Sequence, residues 1–204
     1  MNARPGRSPR SIEVEAAKDP VRHLPGSLDR KLFMTIHGLP HSPYSDRYGS
    51  MLSDVGEGLG WVVAGAGLAW VGGERGRRAG IATALASLSA TYLVQRLVKP
   101  VFRRKRPFVD REVLVVGVKP LDASFPSGHT ASSFAGAAAI TAFYPAAAPL
   151  VFTLASAVGV SRVYLGHHFP SDVAVGAATG TGIGALIGWA LRSTRLLQGA
   201  HPPA

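Results

Sequence analysis

The sequence predicts an all-α protein: a polytopic membrane helical bundle of about five transmembrane helices plus an N-terminal amphipathic helix. Three observations carry this. Of the 204 residues, 47% are hydrophobic and 17% are charged, well under the roughly 25% charged of an ordinary soluble domain. The ionised residues lie almost entirely outside five apolar stretches. Inside those stretches alanine and glycine dominate and strand-like alternation is absent, and a bilayer interior admits only helices or closed barrels. With no cysteine, a disulfide-stapled module and a zinc-thiolate domain are both excluded. The balance of 22 Lys+Arg against 12 Asp+Glu gives +10. In a chain this apolar, that charge points to a lipid bilayer as the partner, with no nucleic acid.

From the amino terminus, residues 1–27 form a basic tail with Arg4, Arg7, Arg10, Lys18, Arg22 and four prolines. It is expected to be disordered or loosely apposed to the membrane. No apolar run follows its charges before Leu28, so it is not read as a secretory signal. Residues 28–54 form an amphipathic interfacial segment. Leu28, Leu32, Phe33, Ile36 and Leu39 recur at helical spacing with Asp29, Arg30 and Lys31 opposite, which suits either a helix lying in the interface or one capping the bundle. Residues 55–192 form the transmembrane domain, with spans expected at 55–72, 79–98, 129–144, 147–165 and 173–191. Residues 193–204 are expected to be a flexible tail. In the last span Gly176, Gly180, Gly184 and Gly188 form a stripe that lets another helix approach closely. The stripe serves either packing within the chain or a homo-oligomer seam. Trp61, Trp70 and Trp189 near span ends suit interfacial anchoring.

Polar residues at the ends of such spans are costly to desolvate and call for a reason. Three clusters stand out, at 99–107, 124–130 and 161–172. Two spans separate the second from the third, so all three emerge on one membrane face. Together they supply Lys99, Arg106 and Arg162, and a Ser127-Gly128 turn at a helix start. That inventory suits a phosphate: the cations neutralise it, arginine offers paired donors, and a helix N-terminus points its positive end at the anion. Gly128 admits close backbone approach. His168 stands four residues before Asp172, so a helical turn would put base and carboxylate on one face. A carboxylate on one ring nitrogen fixes the tautomer and leaves the other nitrogen as a nucleophile. His129, on a separate element, could protonate a leaving oxygen and then take a proton from water. Asp110, Glu112 and Asp122 are scattered through one loop, so the chemistry is expected to need no metal and no cofactor. The bland readings fall on other residues: Arg103-Arg104-Lys105 as a headgroup-facing basic patch, and His23, His37, His41, His167 and His201 as interfacial residues. Asp172 taken alone is equally a helix cap.

Lys99 with six residues before Arg106-Pro107, then Pro126-Ser127-Gly128-His129, then Ser161-Arg162 with five residues before His168 and three more before Asp172, resembles the three-part signature of the type 2 phosphatidic acid phosphatase superfamily. The resemblance implies a helical bundle and a metal-independent lipid phosphatase acting through a phosphohistidine. It implies His168 as nucleophile, Asp172 as its orienting partner, and His129 as general acid and then base. Lys99, Arg106, Ser127, Gly128 and Arg162 would hold the phosphoryl oxygens, most strongly as charge spreads in the transition state. Vanadium haloperoxidases share the signature, but the spans and small size argue against one.

Many bacterial relatives in that family have six spans, and here an amphipathic segment stands where the first would be. With five, the amino terminus shares the catalytic face. Without the two catalytic cations Lys99 and Arg106, the residues before the first span and the loop after the second carry 13 Lys+Arg, against 5 on the other face. The positive-inside rule then places the catalytic face in the cytoplasm, in a bacterial inner membrane. Within the phosphatase class the expected substrate is a membrane lipid phosphate. A polyprenyl-linked one, such as the decaprenyl-phosphoryl-ribose 5-phosphate type of cell-wall precursor, fits a cytoplasmic site. Undecaprenyl diphosphate and phosphatidate-type lipids stay open. Two other classes are carried beside it: a lipid-linked phosphotransferase, and a non-enzymatic scaffold binding anionic lipids.

Overall fold

The computed structural model describes residues 28–109 and 113–198. The basic tail, Asp110, Glu112, His23 and His201, with the expectations attached to them, lie outside the described residues. Among the described residues there are seven α-helices and no strand: α1 (Leu28–His37), α2 (Pro43–Gly56), α3 (Gly58–Val71), α4 (Gly73–Leu93), α5 (Gly128–Phe143), α6 (Ala148–Tyr164) and α7 (Pro170–Gln198). Three helical segments, Gly73–Val98, Pro145–Tyr164 and Pro170–Ser193, are long and apolar enough to cross a membrane. Helix α3 is apolar but has 14 residues, about 21 Å at the helical rise. The last helix runs to Gln198, past the expected boundary at 192, because no Pro or Gly interrupts it before Gly199. Likewise α4 opens at Gly73 rather than 79, since Glu74 bonds to Arg77 and Arg78 along its first turns.

Helix α5 is the hub, with α3, α4, α6 and α7 all packed on it. Its alanines allow this: Ala131, Ala135 and Ala139 are fully buried beside Ala79, Ala82, Ala86 and Ala90 of α4. The glycine stripe of α7 lies against the same helix. A Cβ at Gly180 would come within 2.1 Å of the Ala131 carbonyl oxygen, and one at Gly184 within 2.1 Å of that of Ala135. The stripe is therefore an intramolecular packing face. Trp61 differs from expectation. It is buried against Gly136 and donates its indole N–H to Ser133 Oγ at 3.1 Å, so it is a core residue, whereas Trp70 and Trp189 do face outward.

The two ends of the bundle differ in charge. At one end Arg75 and Arg192 donate to the carbonyl oxygens of Phe143 and Ala142, placing cations at the negative end of α5. The other end gathers α1, α2 and the three polar clusters. Helix α2 is entered through a capping box between Ser42 and Ser45. Helix α1 turns Phe33 and His37 inward and leaves Leu28, Leu32 and Met34 exposed. It therefore caps the bundle while keeping an apolar outer face. Its Asp29, expected on the outer side with Arg30 and Lys31, points into the protein because Arg104 and Ser171 bond it there.

Candidate active site

Each cluster reaches the site by a local irregularity. After α4 the chain makes one π-helical turn, Val94–Val98, closed by the Lys99 N–H donating to the Val94 carbonyl. Such a widened turn shifts the register by a residue, and Lys99 follows it. Ser127 caps α5, its Oγ accepting from the Thr130 hydroxyl at 2.9 Å and the Thr130 N–H at 3.4 Å. Helix α6 ends in a tight reversal at Gly166, whose φ is +80°, a conformation that favours glycine. Beyond it the N–H groups of His167 and His168 both donate to the Arg162 carbonyl, at 3.0 and 3.2 Å. The reversal thus fixes the two histidines against Arg162. Pro170 opens α7, and Asp172 in its first turn reaches back to accept from the Phe169 N–H at 2.9 Å. Asp172 is therefore both a helix-start ligand and the neighbour of His168.

His168 and Asp172 are buried side by side, with Nδ1 and Oδ2 3.6 Å apart. That is ion-pair distance, longer than a hydrogen bond. Asp172 is otherwise well supplied. Its Oδ2 accepts from Ser124 Oγ at 2.5 Å, and its Oδ1 accepts from Arg104 Nη1 at 2.7 Å. On the far ring edge, Arg106 Nη1 stands 3.3 Å from His168 Nε2. Since a guanidinium only donates, Nε2 is the acceptor, and the ring proton is assigned to Nδ1 on the Asp172 side. Burial holds the His168 imidazole down at about 3, with Arg106 and Arg162 acting the same way and Asp172 opposing them. His168 is therefore a neutral imidazole with its lone pair turned toward the cations. His167, buried with its Nε2 2.9 Å from the Val116 carbonyl oxygen, is likewise held at about 4 by burial and Arg162. It is a structural histidine, not the interfacial one expected.

Lys99, Arg106 and Arg162 converge as expected, all buried. Lys99 donates to Asp122 Oδ2, while Arg106 Nη2 donates to Asp122 Oδ1 at 2.6 Å and Nη1 to the His167 carbonyl at 2.8 Å. Burial pushes the Lys99 ammonium below its usual range, aided by Arg106 and Arg162, with Asp122 opposing. Arg162 donates to Ser53 Oγ of α2 at 2.5 Å, and among the described residues its Nε has no partner. His129, the second residue of α5, is half-buried within electrostatic reach of Arg162, His168, Lys99 and His167. A Cβ at Gly128 would meet Gln95 Nε2 at 3.5 Å and Val94 Cγ1 at 3.7 Å, ordinary contacts. The protein itself does not demand glycine there.

Three residues of this site were assigned elsewhere or nowhere by the sequence. Arg104 is not a headgroup-facing residue. It lies over the Phe169 ring at 4.2 Å and bridges Asp172 to Asp29, whose Oδ2 accepts from its Nη2 at 2.7 Å. Asp29 also accepts from the N–H and hydroxyl of Ser171 at 2.8 and 2.6 Å. Asp122, expected to be one of several scattered acids, joins Lys99 to Arg106. His37 and His41 form a separate polar-aromatic cluster with Tyr164: His37 Nδ1 lies 2.8 Å from the Tyr164 carbonyl, and the His41 ring stacks on Tyr164 at 4.4 Å.

The PAP2 superfamily model matches residues 80–201. Over 128 residues the chain is 39% identical to a decaprenylphosphoryl-5-phosphoribose phosphatase of Mycobacterium tuberculosis, covering 62% of this chain and 59% of that protein. It is 30% identical over 148 residues to an undecaprenyl-diphosphatase of Bacillus subtilis, covering 72% of this chain and 75% of that protein. Among solved structures it is similar to LpxE of Aquifex aeolicus, with a TM-score of 0.62, 28% identity, and coverage of 78% of this chain and 94% of that one. The matched family model, these relatives and the apolar helices together make the chain an integral membrane protein that belongs to the PAP2 superfamily, the type 2 phosphatidic acid phosphatases.

Proposed function

We propose that this protein is a metal-independent phosphatase that hydrolyses a phosphomonoester or diphosphate of a membrane lipid through a phosphohistidine. The observation that carries the reading is His168: a neutral imidazole whose Nε2 lone pair faces Arg106, backed by buried Asp172. In the proposed reaction Nε2 attacks phosphorus while Lys99, Arg106, Arg162, the Ser127 hydroxyl and the N–H groups at Gly128 hold the phosphoryl oxygens. The bond from phosphorus to the lipid oxygen breaks, and His129 gives that oxygen its proton. Asp172 stabilises the imidazole as it gains positive character. His129 then takes a proton from water, the resulting hydroxide attacks phosphorus, and the P–N bond breaks to release phosphate. Of the acids on this face, Asp29, Asp122 and Asp172 each bond to Arg or Lys, and Asp54 and Glu57 lie within electrostatic reach of Arg162; the charge offered to a phosphoryl group in this reading is that of the cationic side chains.

The relatives support a polyprenyl-linked substrate, of the decaprenyl-phosphoryl-ribose 5-phosphate or undecaprenyl diphosphate kind, with phosphatidate-type lipids as the other candidates. Three helical segments are long enough to span; if α3 and α5 cross as well, the five crossings put the amino terminus and the site on one face. The excess of Lys+Arg on that face favours the cytoplasmic side of a bacterial inner membrane. The test is phosphate release by the purified full-length protein, with chelator present, across polyprenyl and glycerolipid phosphates. Turnover that persists in chelator and is lost in His168→Ala, by about four orders of magnitude or more, is the expected result. Activity abolished by chelator overturns the mechanism.

A further inference from the structure

Asp122 is an acid to which the proposed mechanism gives no task. Its two carboxylate oxygens are divided between the two cations assigned to the phosphoryl group, Oδ1 accepting from Arg106 Nη2 at 2.6 Å and Oδ2 from Lys99. One anion bridging two cations through separate oxygens is also how a phosphoryl group would engage them. Two residues on, Ser124 is fixed, its N–H donating to the Arg104 carbonyl at 2.9 Å and its hydroxyl to Asp172. The Asp122 side chain, by contrast, is 40% exposed. Beside it opens a cavity of about 470 Å³ lined by Lys99, Arg103, Lys105, Arg106, Leu121 and Asp122 itself.

We propose that Asp122 is an internal counter-anion that occupies the phosphoryl position between turnovers and competes with product phosphate for Lys99 and Arg106. The proposal rests on the assignment of those two cations to the phosphoryl group. Burial would raise the Asp122 carboxyl, but Lys99 and Arg106 overcome it and hold it at about 2, so the competitor is ionised at neutral pH. A lipid substrate is tethered at the site by its apolar part and displaces the carboxylate at high effective concentration. Free phosphate has no such tether, so the competition falls mainly on product, speeding its departure. Turning Asp122 aside also leaves Arg106 to the phosphoryl group and its Nη1 free to leave His168 Nε2.

The experiment is product inhibition by inorganic phosphate, measured on the purified full-length chain in detergent micelles with a lipid phosphate that it hydrolyses. In Asp122→Asn the inhibition constant for phosphate falls about tenfold or more, and KM for the lipid falls less. Asp122→Ala, which removes the side chain altogether, gives the same direction. An unchanged or raised inhibition constant in both variants overturns the proposal and makes Asp122 a residue that merely holds the cations in place. If the wild-type protein releases phosphate from no lipid, the functional reading fails instead. Phosphate binding, read as a shift in thermal unfolding of His168→Ala against the His168→Ala, Asp122→Asn double variant, then still decides on Asp122. Tighter binding by the double variant supports the proposal, and equal binding sinks it.

Discussion

The two halves of the site are built in opposite ways. On the histidine side, Asp172 accepts from Arg104, Ser124 and the Phe169 N–H, and Arg104 is anchored in turn by Asp29 on α1. Every partner is part of the chain itself: Ser124 is buried, and Arg104, Phe169 and Asp29 are half-buried. On the cation side, Lys99 and Arg106 rest on the half-exposed carboxylate of Asp122, and Arg162 keeps a buried Nε with no partner among the described residues. The first half is organised before a ligand arrives, which is where preorganisation lowers a barrier. In the proposed mechanism the second half receives an anion, so its donors rest on a carboxylate that a phosphoryl group could replace. The same polar residue types thus serve rigidity on one side and exchange on the other.

The sharpest way to break this contrast is to remove one anchor from each side. Asp172→Ala strands Arg104, the Ser124 hydroxyl and the Phe169 N–H around an empty place. Breaking a buried pair of this kind costs about 3–5 kcal/mol, with turnover expected to fall some 10³–10⁴-fold. Lys99→Ala should also cost turnover heavily, yet it removes an ammonium that burial already disfavours, so the unfolding temperature should stay close to wild type. Turnover assays paired with thermal unfolding in detergent check both. Equal destabilisation by the two substitutions would abolish the distinction between a fixed half and an exchanging half.

A smaller effect is expected one step back from the histidine. Arg104 touches Asp172 but none of the atoms that react in the proposed mechanism, which makes it a positioning residue there. Arg104→Gln should lower kcat about tenfold while KM moves little, since a hydrogen bond to a charged group is worth roughly 1.5–3 kcal/mol. Asp29→Asn should lower it less, and the double variant should show clear non-additivity, because both act on the one carboxylate. Arg104→Lys keeps the charge but cannot bridge Asp29 and Asp172 together, so it should rescue only in part. An Arg104→Gln enzyme with unchanged kcat and weaker membrane binding would return Arg104 to the headgroup-facing role suggested by its neighbours in sequence.

What the sequence discloses and what it hides follow from the range of the interactions. The apolar stretches, the common face of the three clusters, and the convergence of Lys99, Arg106, Arg162, His129, His168 and Asp172 were legible, because helix periodicity and motif spacing are local. Asp29 was not. A helical wheel groups it with Arg30 and Lys31, and only contacts with Arg104 and Ser171, 75 and 142 residues away, turn it inward. Arg104 was hidden for the same reason, inside a run of cations that looks uniformly solvated. Trp61 was misplaced because nearness to a span end says nothing of azimuth, and it faces Gly136 of the central helix. Gly166 was available in principle, since a glycine just past a helix end marks a left-handed reversal. That reversal sets both histidines.

The mildest expected effect separates the two halves by acidity. His168 is held at about 3 and His167 at about 4, against an ordinary value of 6.5. Between those limits the unfolded chain binds more protons at these two histidines than the folded one, so stability rises with pH. It should be greatest above 6.5 and decline as pH falls toward 4 and then 3. Asp122, held at about 2 against 3.8, also favours the folded state at higher pH. Its contribution, however, is complete above 3.8 and is lost only as pH falls through 2. In the window from 6.5 to 4 the slope therefore belongs to the histidine side. Replacing His168 or His167 by Asn should flatten the fall in unfolding temperature between pH 7 and pH 5, each by part, whereas Asp122→Asn should leave that slope as it is in the wild type. A slope that responds to Asp122 and not to the histidines would mean that the cation side, not the histidine side, is the part that acid undoes first.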